Sequence, residues 1–169
     1  PMSLEIKKYP DPVLRKKAEP IEQVGPAVFD LIRQMKETLL TPGGDEIRGV
    51  GLAAPQVGIS QKMIVVLINK RLRGFINPEI TRESREKVKK IEGCLSFPGL
   101  WLEIKRPKWV EIKAIDEEGR EIAFKAEGFP AGVFQHEIDH LNGKLFFERL
   151  PLWQKLKIKR KLNSQYTAT

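Results

Sequence analysis

The sequence is poor in thiol and imidazole side chains, with one cysteine and two histidines among 169 residues. A single cysteine excludes an internal disulfide, in agreement with a reducing compartment, so Cys94 serves either packing or chemistry. The longest apolar run, residues 63–68, is far shorter than the roughly 20 residues that a membrane span requires. The chain also begins without a signal-peptide core or amphipathic presequence. We therefore expect a cytoplasmic protein without a membrane partner, or an organellar one if a transit peptide has been removed.

Acidic residues are absent from residues 151–169. This segment carries five of the eight net positive charges, at Lys155, Lys157, Lys159, Arg160 and Lys161. A concentrated basic segment favours a polyanionic neighbour such as RNA, so a ribosome- or RNA-binding protein is one interpretation of the chain. The alternative is a solvated helix face.

The composition is that of an ordinary globular protein, with 41% hydrophobic and 31% charged residues. A chain of this length buries roughly two thirds of its unfolded surface, which suffices for one core. No internal repeat, low-complexity stretch or Pro/Gly/Ser-rich linker divides the sequence. We predict a single domain over residues 1–169.

Hydrophobic periodicity predicts three helices. Apolar residues at helical spacing follow Pro26, and the TPGGD sequence from Thr41 is expected to end this first helix. A second helix is predicted after Pro130, ending at Gly143, and an amphipathic third helix after Pro151.

Short β-rich segments lie between the first and second helices. We expect an Asn-Pro turn after the second segment and a hairpin-like turn between the last two. The segments are residues 63–68, 74–76, 102–104, 109–115 and 121–126. The order of helix, strands, helix and helix favours an α+β fold with mixed, mostly antiparallel sheets around the second helix and with a C-terminal helix.

The second predicted helix contains His136, Glu137 and His140 in the pattern H-E-x-x-H. Residues four apart share a helix face, so both imidazoles can bind one cation while Glu137 lies beside them as a general base. The alternative is an accidental match on a polar helix surface. That alternative is weakened because both histidines of the chain fall in this motif.

A hydrolytic metal site needs a third protein ligand. Metzincin proteases supply a later histidine, but Phe146 occupies that position here. Thermolysin-like proteases supply a glutamate from a later helix, and Glu148 is the only acidic residue after Asp139. The remaining candidate is Cys94 in the segment EGCLS, where Gly93 permits close backbone approach. The alternative for this cysteine is an inert small apolar side chain.

A third motif, GVGLAAPQVG, covers residues 49–58. Its glycines and alanines leave the backbone unshielded, which suits a strand edge or loop against an extended ligand, and Gln56 supplies an amide donor. A tight turn with packed alanines is the alternative.

Taken together, GVGLAAPQVG, EGCLS and QHEIDHLNG resemble the three signature segments of the peptide deformylase family, in the same order and with comparable spacing. YPDPVLR at residues 9–15 and FINPEI at residues 75–80 resemble the same family. The resemblance implies removal of the N-formyl group from the initiator formyl-methionine of nascent polypeptides by metal-activated water attack, with release of formate.

The same resemblance implies a ligand set and a cofactor. Cys94, His136 and His140 would bind one divalent metal ion, Fe(II) in the cell, with Zn, Ni or Co able to substitute. Glu137 would take a proton from the attacking water and later protonate the leaving amine.

The resemblance also implies further site residues. The developing oxyanion would be held by the metal, the amide of Gln56 and the backbone N–H of Leu95. The peptide would pair in extended form with the chain near Val50, and its methionine would need an apolar pocket. The substrate-binding residues are expected to be Val50, Gly51, Glu92, Gly93, Phe129 and Val133.

Two positions depart from the family pattern. Trp101 stands where many bacterial members carry an arginine that can meet the substrate backbone, and Gly132 stands where many carry a bulkier residue. Both departures concern peptide-length preference and pocket shape. A metalloprotease and an inactive homologue are the competing interpretations, while docking of the basic C-terminal helix on ribosomal RNA is compatible with a deformylase.

Overall fold

The computed structural model describes residues 3–41 and 46–166. Within these two ranges, three short 3-10 helices accompany the main elements, at Pro12–Arg15, Ala54–Val57 and Phe146–Arg149. In chain order, the helices and strands are α1 (Pro26–Thr38), β1 (Gly51–Ala53), β2 (Met63–Ile68), β3 (Arg71–Glu83), β4 (Lys87–Cys94), β5 (Phe97–Pro107), β6 (Trp109–Ile115), β7 (Glu121–Glu127), α2 (Phe129–Leu141) and α3 (Leu152–Tyr166). The expected α+β fold is confirmed.

In the described part of the chain, the strands form two sheets. One has five strands in the order β1-β2-β3-β6-β7, and the other is the hairpin of β4 and β5. Neighbouring strands are antiparallel in every one of these pairs. In the described ranges, no helix is long and apolar enough to cross a membrane.

Helix α2 lies against the five-stranded sheet and carries the H-E-x-x-H motif. Phe134 and Ile138 are buried in one apolar cluster with Ile64 and Val110 of the sheet. The helix stops where expected: Gly143 has a φ of +70°, and a Cβ there would lie 2.4 Å from the carbonyl oxygen of Arg15. A side chain at that position is therefore excluded twice, by conformation and by space.

The predicted turn at Asn77 and Pro78 is wrong, because β3 continues through it as a bulge. The pairing register with β6 shifts between Ile76 and Glu79, and Asn77 adopts a φ of +50°. The Asn77 side chain stabilises this conformation through two hydrogen bonds of 2.8 Å. Its Oδ1 accepts from the backbone N–H of Ile21, and its Nδ2 donates to the backbone carbonyl of Ile21. The bulge thus accommodates Asn77, with its positive φ, and the following proline, and the strand continues beyond them.

Strand β4 was not predicted, and the expected segment 102–104 is only the middle of β5. Half of the residues of β4 are lysine or glutamate, because one face of this two-stranded sheet is open to solvent. Both residue types are uncommon in strands, so the sequence of β4 gives only a weak indication of a strand. Helix α1 ends at Thr38, before the expected stop. Most of that predicted stop, residues 42–45, lies outside the described residues.

Candidate metal centre

Three potential metal ligands converge where the end of β4 meets α2. The ligand atoms of Cys94, His136 and His140 all lie within 4.8 Å of one another. The Sγ of Cys94 is 3.3 Å from Nε2 of His140. Among the described residues, this is the one group of three or more His, Cys, Asp or Glu side chains with such spacing.

The tautomer of His136 is set by Glu92. Burial alone would raise the pKa of Glu92, but hydrogen bonds from His136 and Arg106 lower it to about 2. An ionised carboxylate only accepts hydrogen bonds, so Nδ1 of His136, 3.0 Å from Oε2 of Glu92, is the donor. This arrangement leaves Nε2 of His136 as the nitrogen available to a cation, as carboxylates do behind metal-bound histidines.

The electrostatics of both histidines suit a cation. Burial lowers the pKa of His140 well below its usual value, which keeps this imidazole neutral with a free lone pair. Burial also opposes a charge on His136, but hydrogen bonds with Cys94 and Glu92 raise its pKa to about 10. Cys94 and Glu92, which favour a proton on His136, would equally favour a divalent metal ion beside it. One sulfur and two imidazole nitrogens are a donor set that fits a divalent transition metal with a further position open.

Glu137 lies beside this cluster and is only 4% exposed. Its Oε2 is buried without a hydrogen-bond partner among the described residues, and burial is the main cause that raises the pKa of Glu137 to about 7. The backbone of β1 runs directly past it: a Cβ on Gly51 would lie 2.8 Å from both Oε1 of Glu137 and Cγ1 of Val133. A carboxyl that titrates near neutrality can both accept and return a proton.

Gln56 and Leu95 flank the thiol. The Nε2 of Gln56 donates to Oγ of Ser96 at 3.2 Å and to Sγ of Cys94 at 3.5 Å, while its Oε1 accepts from the N–H of Ala53 at 2.9 Å. These bonds hold a buried amide next to the cluster. Leu95 follows Cys94 directly, in the two-residue turn between β4 and β5.

A cleft of about 1040 Å³ opens onto these groups. Val50 and Phe129 are exposed at it, whereas Val133 is buried in its wall. Every predicted substrate-binding residue lines the cleft, together with most of the predicted catalytic and ligand residues: Val50, Gly51, Gln56, Glu92, Gly93, Cys94, Leu95, Phe129, Val133, His136 and Glu137. The sequence motifs are therefore brought together at one site.

A family profile described as polypeptide deformylase matches residues 3–156. The chain belongs to the polypeptide deformylase family. It is 47% identical over 139 residues to the peptide deformylase of Carboxydothermus hydrogenoformans, covering 82% of this chain and 88% of that relative. It is 41% identical to the peptide deformylase of Pseudomonas aeruginosa, covering 96% of each. The predicted family is thus confirmed, and with it an enzyme of the hydrolase class.

Solved peptide deformylase structures share the fold. The crystal structure of the Thermotoga maritima peptide deformylase has a TM-score of 0.81 at 42% identity, covering 88% of this chain and 98% of that one. A plant peptide deformylase has a TM-score of 0.87 at 35% identity, covering 98% of this chain and 90% of that one. The match covers most of the chain and thus extends beyond the three sequence motifs.

The two departures from the deformylase pattern both line the cleft. Trp101 is 69% exposed, and its ring lies over the backbone of Gly93, where a Cβ would be 2.7 Å from the ring. Gly132 faces open space, because a Cβ there would have no neighbour within 4 Å. An aromatic surface and a missing side chain therefore shape the cleft of this family member.

Sequence reasoning missed the ion pairs behind the ligands. Arg106 binds both Glu92 and Asp139, and Arg149 binds Asp139. The partners are distant in sequence, so spacing gives no signal for them. The one available hint was Asp139 itself, an acidic residue in a helix with many apolar residues. Glu92 lines the cleft as expected, but both its carboxylate oxygens bind other side chains.

Proposed function

We propose that the chain removes the N-formyl group from the initiator formyl-methionine of nascent polypeptides and releases formate. The observation that carries the proposal is the cluster of Cys94, His136 and His140 beside the buried carboxyl of Glu137, at the base of an open cleft. A thiolate and two imidazoles would hold one divalent metal ion. We propose Fe(II) in the cell, with Zn, Ni or Co able to substitute.

When bound, such an ion supplies Lewis acidity, which lowers the pKa of water and polarises a carbonyl oxygen. Glu137 accepts a proton from the attacking water, whose oxygen forms a bond to the formyl carbon. The carbon–nitrogen bond then breaks, Glu137 returns the proton to the leaving amine, and formate departs. The pKa of about 7 makes both protonation states of Glu137 accessible at neutral pH.

Gln56 and Leu95 stabilise the oxyanion in this scheme. Nε2 of Gln56 is a preorganised donor in a buried position, and the backbone N–H of Leu95 is the second. Because Gln56 is fixed by Ala53 and Ser96, little reorganisation is needed as charge develops on the oxygen.

The peptide binds along the cleft in extended form. The chain at Val50 and Gly51 lies at the edge of the five-stranded sheet and lines the cleft, and Gly93 lines it as well. The methionine side chain occupies the apolar surface of Val50, Phe129 and Val133.

We further propose a cytoplasmic, single-domain enzyme over residues 1–169 that docks at the ribosome. Helix α3 exposes the basic side chains of Lys157, Lys159, Arg160 and Lys161. Trp153, 67% exposed on the same helix, adds an aromatic surface. A basic helix with an exposed aromatic side chain is suited to contact ribosomal RNA.

Formate measurement tests the reaction. The purified protein would be incubated with a formyl-Met peptide and with matched acetylated and unblocked peptides, while formate and cleaved fragments are quantified. We expect formate from the formylated peptide alone, with no internal cleavage. Fragments from the unblocked peptide would instead indicate a metalloprotease, and no product from any of the three would indicate an inactive homologue.

A further inference from the structure

One arginine lies behind the ligand cluster, almost completely buried. Arg106 on β5 is 3% exposed. Its Nε and Nη2 donate to the two carboxylate oxygens of Glu92, and Nη1 donates to Oδ2 of Asp139 at 2.9 Å. The guanidinium therefore joins the hairpin of β4 and β5 to α2.

Both partners of Arg106 lead to a ligand. Glu92 accepts the hydrogen bond from Nδ1 of His136, and Asp139 immediately precedes His140 on α2. A bidentate pair fixes the plane of the Glu92 carboxylate, and that plane fixes the orientation of the His136 ring. β4, β5 and α2 are thus linked through the guanidinium group of Arg106.

The ion pair with Asp139 does not by itself explain why an arginine is buried at position 106. Asp139 already has a second arginine, because Arg149 donates from Nε to Oδ2 at 3.0 Å and from Nη2 to Oδ1 at 2.6 Å. Arg149 is 40% exposed, so it satisfies Asp139 at a smaller desolvation cost than a buried arginine. What Arg106 alone supplies is the two-pronged contact with Glu92.

We propose that Arg106 is a positioning residue for the metal ligand His136, acting through Glu92. The inference rests on the metal site of the proposed function. Lysine cannot replace Arg106, because an ammonium is a point charge and lacks the planar fork that orients a carboxylate. The His136 ring loses its fixed direction when the fork is removed.

The test measures Co(II) affinity, which does not depend on turnover. Metal-free wild type, Arg106→Lys, Glu92→Gln and the double variant would be titrated with Co(II) against a competing chelator, and their visible Co(II) spectra recorded. Removal of the partner behind a metal-bound histidine typically weakens binding about 10–100-fold. We expect that loss, with a changed spectrum, for each single variant, and no more than about a threefold further loss for the double variant, because the two residues act in series.

Arg149→Lys is the matched control, since it alters the other arginine on Asp139 and leaves Glu92 untouched. We expect its Co(II) affinity and spectrum to remain those of the wild type. Wild-type affinity in a folded Arg106→Lys protein would overturn the proposal, as would fully additive losses in the double variant. If Arg106→Lys does not fold by circular dichroism, Glu92→Gln decides, and unchanged affinity there overturns the proposal. Failure of the wild type to bind Co(II) would refute the metal site itself.

Discussion

At the scale of single residues, the proposed scheme assigns the proton transfer to Glu137. Its carboxyl is buried beside the ligand cluster but is not one of the three ligands. Glu137→Gln keeps the size of the side chain and removes the base, so we expect turnover to fall about 10²–10⁴-fold while metal content is unchanged. Formate release and metal analysis on the same preparation measure both. Full activity in this variant would exclude the scheme.

In the proposed scheme, Gln56 is one of the donors that stabilise the oxyanion. Gln56→Ala removes one preorganised donor, and we expect kcat to fall about 10²–10³-fold, corresponding to about 2.7–4 kcal/mol of barrier. The variant also leaves the buried N–H of Ala53 without its acceptor, which is expected to cost about 1–3 kcal/mol of unfolding free energy. Steady-state kinetics and urea denaturation separate the two effects. A kcat within threefold of the wild type would remove Gln56 from the mechanism.

At the scale of elements, the bulge in β3 depends on one side chain. Asn77→Ala loses both hydrogen bonds to Ile21 and keeps a left-handed backbone that alanine disfavours. We expect a loss of about 2–4 kcal/mol in the free energy of unfolding, measured by urea denaturation. The proposed active site is built from other elements, so kcat on short formylated peptides should change little.

Asn69→Ala is the control for that substitution. Asn69 also has a positive φ, 49°, but lies exposed in the turn between β2 and β3. It should lose only about 1–2 kcal/mol from the backbone conformation. Equal losses in the two variants would show that the contacts with Ile21 do not stabilise the bulge.

Local patterns predicted the elements whose signal is local. The residues around Phe134 repeat with helical spacing, and Gly143 marks the end of α2. Strand β6 and most of β7 were predicted because alternating apolar residues flank a turn. β4 was missed because a strand with one solvated face and many lysines has little apolar pattern. The bulge at Asn77 was missed because its cause, the contact with Ile21, is 56 positions away in sequence.

The candidate site shows the same division. The H-E-x-x-H spacing predicted two ligand candidates and a base, since four residues make about one helical turn. Elimination then left Cys94, which the fold brings to within 3.3 Å of His140. Arg106 could not be predicted, because a charged residue in a strand is ordinarily a solvated one, and only the tertiary packing of β5 on α2 buries it.

At the scale of the whole molecule, the net positive charge is concentrated on α3. Replacing the exposed Lys157, Lys159, Arg160 and Lys161 by glutamine leaves the buried Leu162 in place. If α3 contacts ribosomal RNA, we expect weaker ribosome binding and a salt dependence of log affinity that is shallower by about 0.7–0.9 per lost phosphate contact. Co-sedimentation at several salt concentrations measures both, with formate release from short peptides as the control. Unchanged binding would leave α3 as a solvated helix face.

The central claim is that a metal ion held by Cys94, His136 and His140 supports hydrolysis of the formyl group. The most direct measurement is anaerobic metal analysis of the wild type and Cys94→Ala, coupled to formate release from a formyl-Met peptide. We predict a stoichiometric divalent metal with activity in the wild type, and loss of both in the variant. A wild type that is active without metal, or a Cys94→Ala protein that keeps both metal and activity, would contradict the account.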